Sequence, residues 1–334
     1  MPAARILGVG MYLPRERVTN EELGRLMAYD VAGYLAEKRI GVRFRAAPYE
    51  ATSDLAVAAA KEALRQSGLQ PADIDLIILA TDTPDFVSPP TSALIQYKLG
   101  AKNAGAFDLN AACADETIAL ALASHAIILE EARYVLVIGA YAMTKWLDWS
   151  VYTESASKVL AMLFSDGAGA VVLGPSEKPG FLKSKILAEG EYWDTYGIYL
   201  GTACPPTLDM IQKKKHFLRF HENGHRVPKD YNATRWPKLV RETLSAAGYE
   251  PSDLNLLLTN QVEYPALEAT LKALSLPPDR THWVAEKFGY AGSASALMAL
   301  YDAIECGKLR AGDIVAFCTS GAGFVLASAL FRWV

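Results

Sequence analysis

The stretch LRQSGLQPADIDLIILATDT, residues 64–83, returns in form as LSAAGYEPSDLNLLLTNQVE, residues 244–263, 180 positions later. In each copy a run closed by a glycine, Gly68 or Gly248, reads as the end of a helix. A turn follows, with Pro71 and Asp73 in one copy and Pro251 and Asp253 in the other, and then a Leu/Ile run that reads as a buried strand. The same helix, turn and strand at a fixed offset make the chain an internal duplication.

A second pair of segments extends the repeat. ACADETIALALASHAIILEEARYVLVIGA, residues 112–140, matches GYAGSASALMALYDAIECGKLRAGDIVAFCTSGA, residues 289–322: a start rich in small residues, an Ala/Leu helix and a strand. Shifting Ala126 onto Ala303 carries Cys113 onto Tyr290, so both stand at equivalent helix N-termini and a pseudo-twofold arrangement brings those ends together. Uniformly apolar strands alternating with Ala-rich helices predict sheets covered on both faces, with helices buried between them.

Composition narrows the function. With 334 residues, 51% of them apolar, and a formal charge of −4, the chain has material for a large core. The one basic run, QKKKH at 212–216, reads as a solvated face, so nucleic acid is not an expected partner. The N-terminal residues 1–14 read as strand and turn and not as a secretory segment, and no apolar stretch is long enough to span a bilayer. Cys113, Cys204, Cys306 and Cys318 are far apart with no CxxC, against a disulfide framework or a zinc site; a reducing cytoplasmic location is the expectation.

Five segments carry a family resemblance: ILGVGMYLPRERVTNEEL near the N-terminus, RIGVRFR at 39–45, AFDLNAAC at 106–113, FSDGAGAVVLG at 164–174 and the closing SGAGFVLASALFRW. Together they resemble the ketoacyl-ACP synthase III group of the thiolase superfamily, in order and over nearly the whole chain. The resemblance implies an α/β thiolase fold: duplicated halves, here residues 1–174 and 175–334, each with a five-stranded mixed sheet, in an α-β-α-β-α layered sandwich. It also implies acyl transfer through a cysteine, with no permanently bound cofactor and with coenzyme A or acyl carrier protein thioesters as substrates. A homodimer, or a hetero-oligomer with a thiolase-fold homologue, is the implied assembly.

By that resemblance Cys113 is the nucleophile. A helix N-terminus favours a thiolate, while Asp115 and Glu116 oppose it. Glu116 is ambiguous: an ordinary acid of a first turn, or a local base or substrate ligand. The family's helper histidine, in an HQAN-like run, falls at Asn260 in NQVE, and its asparagine, in an HGNTS-like run, at Tyr290 in FGYAGS. Both replacements are hydrogen-bond donors, but neither moves a proton as histidine does. Backbone N–H groups of Cys113 and Ala322 match the acyl oxyanion hole, with Gly321 and Gly323 permitting its turn. Where the family stacks a tryptophan on the coenzyme's adenine this chain has Leu35 beside Tyr34, and Arg39 matches a basic position that can meet phosphate.

The other histidines fit less well. His125 reads as structural, His216, His221 and His225 are too irregularly spaced for a metal site, and His282, on a predicted strand RTHWVAEKF, is the remaining substitute for the helper. The aromatic runs 145–152 and 191–199 read as a substrate pocket or a dimer surface. The leading expectation is an acyltransferase of this type in fatty-acid-like or polyketide metabolism. Its rivals are a decarboxylating synthase and a catalytically weak subunit of a heteromeric complex.

Overall fold

The computed structural model describes residues 3–149 and 155–334. Both copies of the opening stretch fold alike. Helix Thr52–Ser67 ends at Gly68 (φ +73°), and helix Tyr231–Ala246 is followed by Gly248 (φ +79°). Each glycine takes the left-handed conformation that a side chain disfavours. A single 3₁₀ turn follows, Pro71–Asp73 or Pro251–Asp253, pinned in the same way: Asp73 Oδ2 accepts from the Gln70 amide at 2.8 Å and Asp253 Oδ2 from the Glu250 amide at 2.9 Å.

The strands that follow enter two sheets with one plan. In the first, Leu76–Ala80 runs parallel to Val135–Tyr141, which is antiparallel to Gly167–Ser176, itself antiparallel to Ala3–Tyr12. In the second, Leu254–Thr259 runs parallel to Ile314–Gly321, which is antiparallel to Val325–Arg332, itself antiparallel to Phe181–Ala188. A fifth strand, Gly105–Leu109, pairs parallel with Leu76–Ala80 and forms the open edge of the first sheet.

The second sheet departs from the expected five strands: among the described residues it has four. The chain at the fifth position makes one bridge, Leu257 with Thr281, and His282 lies just beyond it rather than on a strand. Two prolines, Pro277 and Pro278, withhold amide donors there. Side chains then take the ladder groups: Thr281 Oγ1 donates to the Leu257 carbonyl at 2.7 Å, and Lys308 Nζ donates to the Thr281 carbonyl.

Helices Asp115–Ile128 and Ser295–Glu305 form the layer between the sheets, buried along nearly their whole length. Thr52–Ser67 covers the outer face of the first sheet and Tyr231–Ala246 that of the second. The central layer fuses the halves, because its Ala and Leu side chains share one apolar cluster with both sheets, including Val137, Val171, Leu258 and Phe317. Burial of this kind contributes about 25 cal/mol per Å² of apolar surface removed from water.

Candidate active site

Strand Gly105–Leu109 delivers the chain to a tight loop. Asn110 Oδ1 accepts from the Ala112 amide at 3.0 Å, and Ala112 sits in the left-handed region at φ +48°. A non-glycine residue there costs on the order of 1–3 kcal/mol, sustained by the surrounding bonds. The Ala114 and Asp115 amides bond the Ala111 and Ala112 carbonyls, which leaves Cys113, only 6% exposed, at the start of helix Asp115–Ile128.

The second half supplies the neighbours of Cys113. Tyr290 and Cys113 belong to one buried cluster and share the wall of one cavity, which sets the phenol beside the sulfur. Asn260 is fully buried; its Nδ2 donates to the Cys113 carbonyl at 2.9 Å and lies 3.5 Å from Tyr290 Oη, and its Oδ1 accepts from the Ser320 amide at 2.6 Å. Asn260 is thus a clamp between the Cys113 loop and the end of strand Ile314–Gly321. That strand end presses on the loop: a Cβ on Gly321 would fall 2.3 Å from the Ala111 carbonyl oxygen, so only glycine permits the approach. From the clamp a polar chain runs outward. Ser320 Oγ donates to Asn232 Oδ1 (2.8 Å), Asn232 Nδ2 donates to Glu263 Oε2 (3.0 Å), and Glu263 pairs with Lys38 at 3.5 Å.

Cys113 lies on the walls of two cavities. The first, about 250 Å³, is bounded by Tyr34, Lys38, Lys229, Asn232, Tyr290 and Ser320. The second, about 260 Å³, is bounded by Asp82, Asn110, Tyr141, Tyr196, Tyr199 and Ala322. No histidine lines either one. His282 Nε2 is bonded to Asp302 Oδ2 at 2.7 Å and His125 packs edge-on against Phe181, so neither takes the helper's place. His282, Asp302 and Cys306 set three donor atoms within 4.8 Å of one another, but Asp302 Oδ2 is already shared by His282 and Lys287.

The electrostatics differ from the expectation. Burial pushes the Cys113 thiol well above its ordinary range and Asp82 pushes it further; Tyr290 pulls the other way, while Asp115 and Glu116 add to the rise. Burial and the neighbouring acids thus favour the protonated thiol, opposing the thiolate that a helix N-terminus favours. Asp82 went unremarked in the sequence. Burial pushes its carboxyl up to about 7, its own backbone amide pulling the other way.

Glu116 does not face the sulfur's cavities. Its Oε1 accepts from the Ala296 amide at 2.9 Å and its Oε2 from the Leu297 amide at 3.1 Å, capping the partner central helix across the pseudo-twofold. The catalytic role expected of it is corrected: both oxygens are occupied by structure. Asp115 Oδ2 likewise takes the Ser293 hydroxyl at 3.0 Å. Burial pushes Glu116 up to about 8, against the pull of those two amides. The folded state thus holds its proton more tightly than the unfolded chain, so the stability this gives is full below about pH 4.5 and is lost as pH rises through about 8. Glu116→Gln is expected to shrink the stability drop between those limits by about 2 kcal/mol or more, at about 1.4 kcal/mol per pKa unit. Denaturant titration across that range measures it, and parallel curves for the two proteins would contradict it.

Arg39 lines neither cavity; its Nε is 2.6 Å from Glu286 Oε1 and its guanidinium lies 4.2 Å over the Tyr264 ring. The cations on the first cavity are Lys38 and Lys229, with Tyr34 beside them, and Leu35 is buried in the core. Of the aromatic runs, Trp193, Tyr196 and Tyr199 wall the second cavity, Trp146 and Trp149 pack on the core, and residues 150–152 lie outside the described residues.

A buried cysteine at the junction of two like halves, under a glycine turn, defines a thiolase-fold enzyme of the acyl-transferring, condensing kind. The chain belongs to the 3-oxoacyl-[acyl-carrier-protein] synthase III family. The model of that name matches residues 107–190 and its C-terminal counterpart residues 244–333. A beta-ketoacyl-[acyl-carrier-protein] synthase III of Alkalilimnicola ehrlichii is 36% identical over 100% of both chains. The crystal structure of 3-oxoacyl-[acyl-carrier-protein] synthase III from Aquifex aeolicus superposes with a TM-score of 0.87 at 30% identity, covering 99% of this chain and 100% of that one. The priming beta-ketosynthase of the R1128 polyketide pathway does so at 0.85 and 31%, covering 99% and 96%. No helix among the described residues is long and apolar enough to cross a membrane.

Proposed function

We propose that this chain is a specialised acyltransferase of the 3-oxoacyl-ACP synthase III type, which loads an acyl group on Cys113 and passes it to an acceptor without the family's decarboxylating step. The observation that carries this reading is the pairing of Cys113 with Tyr290 and Asn260 at the meeting of two cavities that no histidine lines. The first cavity, with Lys38 and Lys229, suits the phosphate-bearing arm of a coenzyme A or carrier-protein thioester. The second receives the acyl group. In loading, the sulfur of Cys113 bonds the thioester carbonyl carbon, the carbon–sulfur bond to the carrier breaks, and the thiol proton leaves with the carrier thiol. Backbone amides of Cys113 and Ala322 hold the carbonyl oxygen as it gains charge. Tyr290, on the wall of the first cavity with Cys113, orients the acceptor through its hydroxyl. Asn260 positions rather than reacts.

Acylation is expected at Cys113 and not at Cys204, Cys306 or Cys318, because only Cys113 borders both cavities. Incubation with short and medium acyl-CoA and acyl carrier protein donors, followed by intact mass and peptide mapping, tests it. No adduct at Cys113 from any donor would favour the weak-subunit reading instead. A homodimer is part of the proposal: Gly105–Leu109 is an unpaired sheet edge with Phe107 exposed, and Phe86 and Val87 are exposed nearby in sequence.

A further inference from the structure

The chamber behind Cys113 holds two buried polar atoms that nothing among the described residues satisfies: Asp82 Oδ1 and Tyr199 Oη. Each unpaired buried polar group costs about 1–3 kcal/mol, so two in one cavity call for a partner the protein itself lacks. The walls around them are mainly aromatic and aliphatic, with Tyr141, Met143, Phe164, Trp193, Ile198 and Leu218; Asn110, whose Oδ1 is taken by the Ala112 amide, adds a polar edge, and no lysine, arginine or histidine is among them. A plain alkyl chain would fill such a space and leave the carboxyl and the phenol unpaired.

Resting on the acyl-loading reading above, we infer that this chamber selects a short acyl group bearing a hydroxyl or amino donor, which Asp82 and Tyr199 hold by hydrogen bonds while Cys113 takes the carbonyl. A hydroxyl or amino group suits both: it can donate to Asp82 Oδ1, which has no partner among the described residues, while the Tyr199 hydroxyl can give or receive a bond. An acyl group ending in a carboxylate is disfavoured by Asp82 and by the absence of a cation on the walls. The chamber's volume, about 260 Å³, has room for a short acyl group. Asp82 reaches the site from the end of Leu76–Ala80, the strand paired with the one that leads into the Cys113 loop. Polar recognition and the nucleophile therefore stand at one end of one sheet.

The test compares near-isosteric donors: 3-hydroxybutyryl-CoA against 3-methylbutyryl-CoA, 4-aminobutyryl-CoA and 4-hydroxybutyryl-CoA against pentanoyl-CoA, and succinyl-CoA. The readout is the rate of Cys113 acylation by rapid-quench mass spectrometry. At least one hydroxy- or aminoacyl donor is expected to load about tenfold or more faster than its apolar match, with succinyl slowest, since a site built for a hydrogen bond rejects the analogue that lacks it. In Asp82→Leu and Tyr199→Phe that ratio should collapse to about twofold or less. Apolar donors loading as fast as polar ones in the unaltered chain would overturn the inference and leave acyl transfer standing; the chamber would then hold only water. If no donor acylates Cys113, the acyl-loading reading itself fails. Calorimetry with the same groups as pantetheine amides then judges the chamber alone: tighter binding of the polar amides upholds its preference, and equal affinities refute it.

Discussion

Asn260→His combined with Tyr290→Asn is expected to release carbon dioxide from a malonyl thioester about 10²-fold or more faster than the unaltered chain. The magnitude is the usual effect of supplying a missing acid–base group, about 10²–10⁴. The combination matters because the two side chains touch: Asn260 Nδ2 lies 3.5 Å from Tyr290 Oη, and both are buried. An imidazole at position 260 alone must fit between the Cys113 carbonyl and the Ser320 amide with the phenol still in place, and is expected to be overpacked by about 1–3 kcal/mol. Shortening Tyr290 opens that space, so the singles should be poor and the double good, a strongly non-additive pattern. Carbon dioxide release for the unaltered chain, both singles and the double, with Cys113→Ala as blank, measures it. High release from the unaltered chain that depends on Asn260 would return this protein to the decarboxylating synthases.

Asn260→Ala is expected to cut Cys113 acylation by about 10²–10³ and to lower stability by about 2–5 kcal/mol. Removing the amide leaves the Cys113 carbonyl and the Ser320 amide without their partner; each buried group left unpaired costs about 1–3 kcal/mol. The rate falls because the loop carrying Cys113 and the turn carrying Ala322 are no longer fixed to each other, and a displaced oxyanion donor typically costs about that much. Acylation kinetics and denaturant unfolding are both needed. A loss of stability with normal acylation would show that the clamp holds the fold but not the oxyanion turn.

The duplicated plan was legible because its signals are local and chemical. Gly68 and Gly248 end helices, and Asp73 and Asp253 close turns by bonding amides three residues back. The structure sets the two residues of the matched runs near Cys113, with Asn260 Nδ2 donating to its carbonyl and lying 3.5 Å from Tyr290 Oη. Glu116 misled because adjacency along a helix is not adjacency in space: at about 100° per residue, its side chain is turned toward the other central helix. Asp82 was missed for the opposite reason. It is 31 positions before Cys113, and only the parallel pairing of Leu76–Ala80 with Gly105–Leu109 brings the two ends together. A signal existed, since an acid just past the carboxyl end of a parallel strand stands where α/β sheets bind ligands. The missing fifth strand of the second sheet depended on side chains of Thr281 and Lys308 capturing backbone groups, which no apolar pattern encodes.

The clamp between halves also bears on how the protein is made. All strands of the first sheet lie before residue 177, so that half can assemble while the rest of the chain is still being synthesised. Cys113 is then already in its loop, yet Asn260, Tyr290 and the Ser320 turn do not exist. The backbone groups that Asn260 joins are thus brought together only once Ile314–Gly321 pairs with Leu254–Thr259. A first half folded by itself holds Cys113 without the bond from Asn260 to its carbonyl, so the loop of one half is completed by residues of the other.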